Sequence, residues 1–247
     1  MERRKFSKLI TTIFLTSLLA LSLSSVSESV LAQASSSVRV GLPGRRVGGG
    51  TRGDCSGVGE KQLTALMPKN NLALTVAANP QLFFYLPAIA TQTVEFVLRD
   101  EADNQVYEKT FKSTGNNGII SINLLDSKHS KNLTVGKKYH WYLSVICNPQ
   151  DRANDISVDG WIQRVEPNPS LTKKLEQAAP LQRLVMYEAA NLWQDALTTL
   201  AQLRYYHPHD VSVKEQWTQL LRSVDLANIS QEPVVTLSNQ KSLVIAN

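Results

Sequence analysis

The sequence predicts an α+β chain: an antiparallel β-sandwich over residues 60–166, then a small helical region over residues 170–229. Three observations predict it. Residues 62–165 hold about eight short apolar runs at near-regular spacing, the pattern of an antiparallel sandwich. Residues 138–147 alternate cleanly, with Tyr139, Trp141, Leu143, Val145 and Cys147 on one face and Lys138, His140, Tyr142 and Ser144 on the other. At 166–169 the period changes: Asn168-Pro169 stops the last strand, and apolar residues then recur at helical spacing.

Residues 1–34 have the pattern of a secretory signal peptide. Arg3, Arg4, Lys5 and Lys8 form a basic start, residues 9–27 carry no charge, and Ala32-Gln33-Ala34 gives a small-x-small cleavage site. Cleavage after Ala34 would deliver the rest of the chain out of the cytosol. The alternative is an uncleaved membrane anchor, which the length of the run permits; Ser22, Ser24, Ser25 and Ser27 dilute its end. Residues 35–59 form a Gly- and Ser-rich lead-in with little apolar surface to pack, either flexible or docked on an edge.

Within the β region, residues 63–67 and 72–76 flank a turn at Pro68-Lys69-Asn70-Asn71. Residues 82–86 are aromatic and bounded by Pro80 and Pro87, and alternation should send at least one of Phe83, Phe84 and Tyr85 outward. Residues 93–99 put Val94, Phe96 and Leu98 on one face, 100–104 make a hairpin loop, and 106–112 return. Ile120, Ile122 and Leu124 mark the next strand, and 157–165 is the last. The stretch Leu133-Thr-Val-Gly136-Lys-Lys-Tyr139-His-Trp141 resembles the strand E to strand F corner of immunoglobulin-like and fibronectin-type domains, where the Tyr hydroxyl bonds back to the corner backbone. The expected sandwich is therefore immunoglobulin-like.

In the helical region, Ser170 can cap a helix through Gln177, and Pro180 suits the first turn of a second helix. Leu184, Tyr187 and Ala190 or Asn191 recur at helical spacing, and Leu192-Trp193 marks a break. Trp193, Ala196, Leu197, Leu200 and Leu203 form an apolar stripe that Pro208 stops. Asp210 caps a last helix carrying Val213, Trp217, Leu220, Leu221 and Val224. Tyr187, Ala196, Leu200 and Pro208 fall at the separations of a tetratricopeptide repeat, so the region reads as a single tetratricopeptide-like hairpin, packed on itself or on the sandwich. Residues 230–247 lack periodicity and are expected to form a loose tail, in which 234–235 and 243–245 could dock.

Composition narrows the function classes. The leader holds four of the 26 basic and two of the 21 acidic residues, so the net charge of the remainder falls from +5 to +3. The high pI is no nucleic-acid footprint. No uncharged run after the leader is long enough to span a membrane. Cys55 and Cys147 are the only cysteines, and an even count in an oxidising compartment suggests one disulfide. It would close a loop of about 90 residues and contribute about 4–5 kcal/mol on chain-entropy grounds; the alternative is two buried thiols.

Candidate chemistry is sparse. Gly44-Arg-Arg-Val-Gly-Gly-Gly-Thr-Arg-Gly53 looks like a phosphate loop but lacks the Lys-Ser/Thr that such a loop needs. Arg52-Gly53-Asp54 matches an adhesion tripeptide without further support. His207-Pro208-His209 beside Asp210 lacks a third metal ligand and reads as a helix stop and cap, while His129 and His140 look isolated. Asp151, Arg152, Asp155 and Asp159 could act as paired carboxylates, or form a solvated loop with turn-capping Asp residues. No Gly-x-Ser-x-Gly elbow occurs. The expectation is a non-enzyme with no cofactor and no metal.

Several stretches together carry a resemblance: Gly44-Arg-Arg-x-Gly-Gly-Gly-Thr-Arg-Gly53 before Cys55, Leu63-Thr-Ala-Leu-Met-Pro68, Phe83-Phe-Tyr-Leu-Pro87, Glu95-Phe-Val-Leu-Arg-Asp100, Tyr139-x-Trp-Tyr142 leading to Cys147-Asn-Pro149, Gly160-Trp-Ile-Gln-Arg164 and Leu192-Trp-x-Asp-Ala-Leu197. The chain is similar to the cyanobacterial domain-of-unknown-function family numbered 928, over roughly residues 44–230. The resemblance implies an exported bacterial protein and no activity, and it removes the meaning of the glycosylation sequons at Asn132 and Asn228.

The functional expectation is an exported, non-catalytic envelope protein whose helical part meets a partner protein, with Trp193, Trp217 and Tyr187 as core residues behind the interface. The alternatives are a carbohydrate- or small-ligand-binding module using Tyr142 or an outward aromatic from 83–85, and an unfamiliar enzyme built on the carboxylates after Cys147. No nucleic acid is expected as a partner.

Overall fold

The computed structural model describes residues 41–49, 61–89, 92–125 and 132–235. The expected leader, Arg52-Gly53-Asp54, Cys55, His129 and the tail beyond residue 235 lie outside them. The fold is α+β. Strands β1 (Thr64–Ala65), β2 (Leu72–Thr75), β3 (Gln81–Leu86), β4 (Thr93–Arg99), β5 (Gln105–Lys112), β6 (Gly118–Asn123), β7 (Lys138–Ile146) and β8 (Ile156–Arg164) come first. Helices α1 (Pro169–Gln177), α2 (Pro180–Ala189), α3 (Trp193–Tyr206) and α4 (Val211–Ser223) follow.

The strands make two sheets, ordered β1-β3-β6 and β2-β8-β7-β4-β5. Among the described strands the pairings are antiparallel except that β2 runs parallel to β8, Leu72 opposite Trp161 and Thr75 opposite Arg164. This corrects the expectation of a wholly antiparallel arrangement. The turn at Pro68-Lys69-Asn70-Asn71 does not fold its flanks into a hairpin; it carries the chain from one sheet to the other. Pro68 has no N–H for a ladder, Asn71 takes φ 58°, and the Asn70 side chain accepts from the Leu72 amide at 3.2 Å.

The sheets meet through the alternating faces predicted for them. Phe84 of β3 lies 6.0 Å from Phe96 of β4 and 5.2 Å from Trp141 of β7. Such offset and edge-on pairs add to burial. Opposite Trp141 in register stands Gly160, where a Cβ would come within 2.6 Å of the indole and 2.7 Å of Met67. At the corner before β7, the Thr134 amide donates to the Tyr139 hydroxyl at 3.0 Å, the bond expected there.

β3 is buried along its whole length, so Phe83, Phe84 and Tyr85 are all internal and none is an outward stacking ring. Alternation failed as a guide here because the second face of the small sheet is also covered. Residues 230–235, expected to be loose although 234–235 could dock, pair with the β6 edge of that sheet. The Ile119 amide donates to the Pro233 carbonyl at 2.7 Å, and the Val235 amide to the Ile119 carbonyl at 2.8 Å. Lys61 and Asn117 hold the Glu232 carboxylate, and Arg204 of α3 donates to the Ser230 and Glu232 carbonyls.

The described part of the lead-in is docked too. The Gly48 amide donates to Leu63 at 2.8 Å, and Arg45 and Asp159 exchange backbone bonds at 3.2 and 2.9 Å. The Arg46 guanidinium donates to the carbonyls of Met67 at 3.2 Å and Val224 at 2.7 Å. In the Gly-rich stretch that falls short of a phosphate loop, this arginine therefore serves backbone carbonyls.

Helix α1 is capped by Asn168, whose Oδ1 accepts from the Ser170 amide at 2.8 Å, rather than by Ser170 itself. Asp210 caps α4 as expected, accepting from Ser212 and Val213. Helix α3 is fastened to the sheets by three consecutive side chains. Trp193 donates its indole N–H to the Leu66 carbonyl at 3.1 Å, Gln194 its amide to the Gln81 carbonyl, and Asp195 accepts from Thr75 Oγ1 and the Val76 amide at 3.1 Å each. First-turn side chains lean toward the helix N-terminus, which here points into the corner between β1, β2 and β3. Sheets and helices together belong to one unit, residues 39–247.

Candidate functional site

An apolar recess lies between the edge strand β2 and helices α2, α3 and α4. It is a half-open groove of about 500 Å³, with Leu72 and Leu74 on one wall and Trp193, Ala196, Leu220 and Val224 on the other. The parallel ladder explains why β2 presents itself there. Asn71 and Thr75 give their carbonyls to Trp161 and Val165 of the β8 side, so Leu72 and Leu74, between them, turn their peptide groups away from β8. Glu188 at the rim is pushed above the usual carboxylate range by burial. The helices also expose apolar side chains: Leu181 and Val185 on α2, Tyr205 and Tyr206 at the end of α3, and Val211 at the start of α4.

A second cluster sits on the outward face of the larger sheet. His140 looks isolated in sequence but is paired across the β7–β8 ladder. Its Nε2 lies 2.8 Å from Asp159 Oδ2, and its Nδ1 lies 2.8 Å from the Tyr142 hydroxyl. An ionised carboxylate only accepts, so Nε2 donates to Asp159, while Nδ1 and the phenol share one hydrogen bond. The Trp161 ring stacks on His140 at 4.2 Å and 13°, and Tyr142 lies on the other side at 4.3 Å. Burial, with Asp159 and Asp103 nearby, pushes the Tyr142 phenol up. Asp159 Oδ1 accepts from the Arg45 amide at 3.0 Å, and Trp161 donates to the Pro43 carbonyl at 2.8 Å. The cluster thus fastens the lead-in to the sheet while leaving three rings in a half-exposed row.

The other predicted residues are not gathered into a site. Asp151 caps the short 3-10 turn Arg152–Asn154. Asp155 accepts from the Arg152 side chain and the Cys147 amide, and Arg152 also reaches Glu95 at 2.9 Å. Asp159 stands apart from both, with His140, so the four do not converge as paired carboxylates. His207 and His209 are exposed beside the cap of α4. Among the described residues, no group of three His, Cys, Asp or Glu is placed to hold a metal ion, and no helix is long and apolar enough to cross a membrane. Cys147 is half-buried against the core, on the face its alternation predicts. Trp193 and Trp217 are buried, and Tyr187 is half-buried.

Two residues escaped sequence reasoning. Arg46 was one of several arginines in a Gly-rich stretch. Asp195 lies inside the apolar stripe of α3, and an acid there was the available signal. Burial pushes its carboxyl up to about 7, against the bonds from Val76 and Thr75 that favour its ionised form.

No curated protein matches the sequence. The motifs at Gly160-Trp161, Leu192-Trp-x-Asp195 and Phe83-Phe-Tyr85 now have structural roles, as the slot for Trp141, the clamp of α3 and the doubly covered strand. Consistent with these, the family model of the Domain of Unknown Function (DUF928) matches residues 47–234, and the chain belongs to that family.

Proposed function

We propose that this is an exported, non-catalytic envelope protein that binds an extended segment of a partner protein in the groove beside β2. The observation that carries the reading is the edge strand β2, whose Leu74 peptide group turns away from β8 while the Leu72 amide is held by Asn70, lying along an apolar groove of about 500 Å³. An extended chain added to such an edge gains main-chain hydrogen bonds while its alternate side chains fill the groove. The exposed apolar residues of α2 and α3 would extend the contact.

Export rests on the pattern of residues 1–34, and in an oxidising compartment Cys55 pairs with Cys147. The strand orders, the β2–β8 parallel edge and the Tyr139 corner favour an immunoglobulin-like sandwich, and the α2–α3 pair a single tetratricopeptide-like hairpin. The test places a photo-crosslinking phenylalanine analogue at Leu72 in living cells, with the same probe at Lys214 on the exposed side of α4 as control. A discrete adduct at 72, absent at 214, supports the groove. No adduct at 72, or the same products at both positions, overturns it. A mature N-terminus other than residue 35 would correct the export step separately.

A second reading is a carbohydrate-binding module, favoured by the half-exposed row Tyr142, His140 and Trp161, because sugars stack on such rings. Titration of Trp161 fluorescence with oligosaccharides tests it, and an unchanged spectrum would dismiss it.

A further inference from the structure

Among the described residues, the five-stranded sheet ends on β2 at one side and on β5 at the other. β5 spans eight residues, Gln105–Lys112, with no proline or glycine among them. Its pairing with β4 decides what the outer edge presents. The Ser113 amide donates to the Gln92 carbonyl at 2.9 Å, and bonded pairs recur at every second residue of an antiparallel ladder. Residues 107, 109 and 111 therefore bond to β4, while Glu108, Thr110 and Lys112 turn their N–H and C=O groups outward. Those three residues are exposed. Such an edge is a template for another strand, and proteins blunt it with short strands, proline, bulges or charge. Here the one irregularity of the ladder is at its far end, between Leu98 and Arg99. Charge is present, but it is of both signs and spaced evenly about Thr110.

That spacing makes β5 complementary to itself. A two-fold axis normal to the sheet sets two copies of β5 antiparallel and keeps each side chain on its own face. With the axis at Thr110, Glu108 stands opposite Lys112 of the second copy, and Lys112 opposite its Glu108. The outward peptide groups of 108, 110 and 112 then form the bonded pairs. An axis at residue 108, 109 or 112 would oppose two like charges instead. On the inner face, the Thr110 register brings Lys109 opposite the half-buried Phe111 of the second copy, whose ring the lysine stem covers. In the single chain, Glu108 accepts from Gln105 at 2.7 Å and Lys112 donates to Thr93 at 2.6 Å, both neutral partners at the surface. Across the axis each meets an opposite charge, and such cross-strand pairs add to sheet stability.

We propose that two copies of this chain associate through β5, antiparallel about a two-fold axis at Thr110, so that their five-stranded sheets become one. A strand of another protein would need the same charges at the same spacing; a second copy supplies them by symmetry. The contact is one strand from each side, so its affinity is modest, roughly micromolar or weaker. The inference does not rest on the groove beside β2. That groove lies at the opposite end of the sheet, and both β2 edges stay open in the pair.

The experiment is sedimentation equilibrium of the purified native protein from about 1 µM to about 1 mM, the range that such a contact spans. The parent should pass from monomer to dimer. Glu108→Lys opposes like charges at both pairs and should weaken the dimer by about tenfold or more, and Lys112→Glu should do the same. Glu108→Lys and Lys112→Glu in one chain restore complementarity and should return the Kd of the parent. An equimolar mixture of the two single variants should form a heterodimer, because each carries the sign that the other lacks. Both positions are exposed, and circular dichroism checks that each variant is folded. A parent that stays monomeric throughout overturns the proposal. So does a dimer that either single variant leaves as tight, which would place the contact on another face. A double variant that stays dissociated, or single variants that do not pair with each other, would overturn it as well.

Discussion

A methyl group on Gly160 would sit 2.6 Å from the rigid, buried Trp141 indole and 2.7 Å from the flexible end of Met67, so the clash falls chiefly on the indole. Gly160→Ala should therefore destabilise the protein by about 1–3 kcal/mol, read as a lower urea midpoint at unchanged slope. Asp195 carries the other expectation at this scale. Burial raises its folded pKa from 3.8 to about 7, so between those values the folded state binds more protons than the unfolded one. Stability then falls as pH rises from about 4 toward 7, by an amount on the order of a few kcal/mol, and levels off above. Urea midpoints across that range should slope downward in the parent and flatten in Asp195→Asn. His140 and Asp159 show where residue-level reading stops. Alternation put His140 on the outward face of its strand, as the structure has it. Its bond to Asp159 depends on the β7–β8 register, which aligns His140 with Trp161 and Tyr142 with Asp159, and no local pattern encodes that offset.

Among the elements, α3 holds the rest of the helical region to the sheets. Trp193, Gln194 and Asp195 reach Leu66, Gln81 and Thr75 in turn, so one helix N-terminus touches three strand segments. Trp193→Ala removes a large buried ring as well as one of these bonds, and should cost about 3–5 kcal/mol. Hydrogen exchange should show its loss first in α2, α3 and α4, with β4 and β7 still protected; equal loss everywhere would mean that sheets and helices melt as one. The elements themselves were readable. β4 spans the residues its alternation marked, α2 begins at Pro180, and Asp210 caps α4. The cap of α1 was misplaced, Asn168 taking the role expected of Ser170, because both are good capping residues and the choice between them is made by backbone geometry. β3 misled because an all-buried strand has no polar face, so its second covering cannot be inferred from its own residues.

For the whole molecule, two long-range ties matter most. Arg46 crosses from the lead-in to the Met67 and Val224 carbonyls, joining the chain's beginning to the end of α4. Arg46→Ala leaves two carbonyls short of a donor and should lower stability by about 1–3 kcal/mol, with a larger effect on helix protection than on the sheets. The second tie is the proposed Cys55–Cys147 bridge. Closing about 90 residues, it should contribute about 4–5 kcal/mol, so urea melts with and without reductant should differ by that amount. Coincident melts, together with two alkylatable thiols in the native protein, would remove the bridge.

The sequence by itself determined the class and order of elements, the inward faces of β4 and β7, the corner at Tyr139 and the stop and cap around Pro208. All of these follow from local periodicity and from backbone preferences of single residues. Only the tertiary structure decided that β2 lies parallel to β8, that residues 230–235 pair with the edge of the small sheet, that the lead-in docks, and that Asp195 is buried against Thr75 and Val76. Those outcomes depend on which surfaces meet between residues far apart in the chain, as Leu72 and Trp161 are, and such meetings are set by complementary shape and by backbone groups that look alike in every sequence.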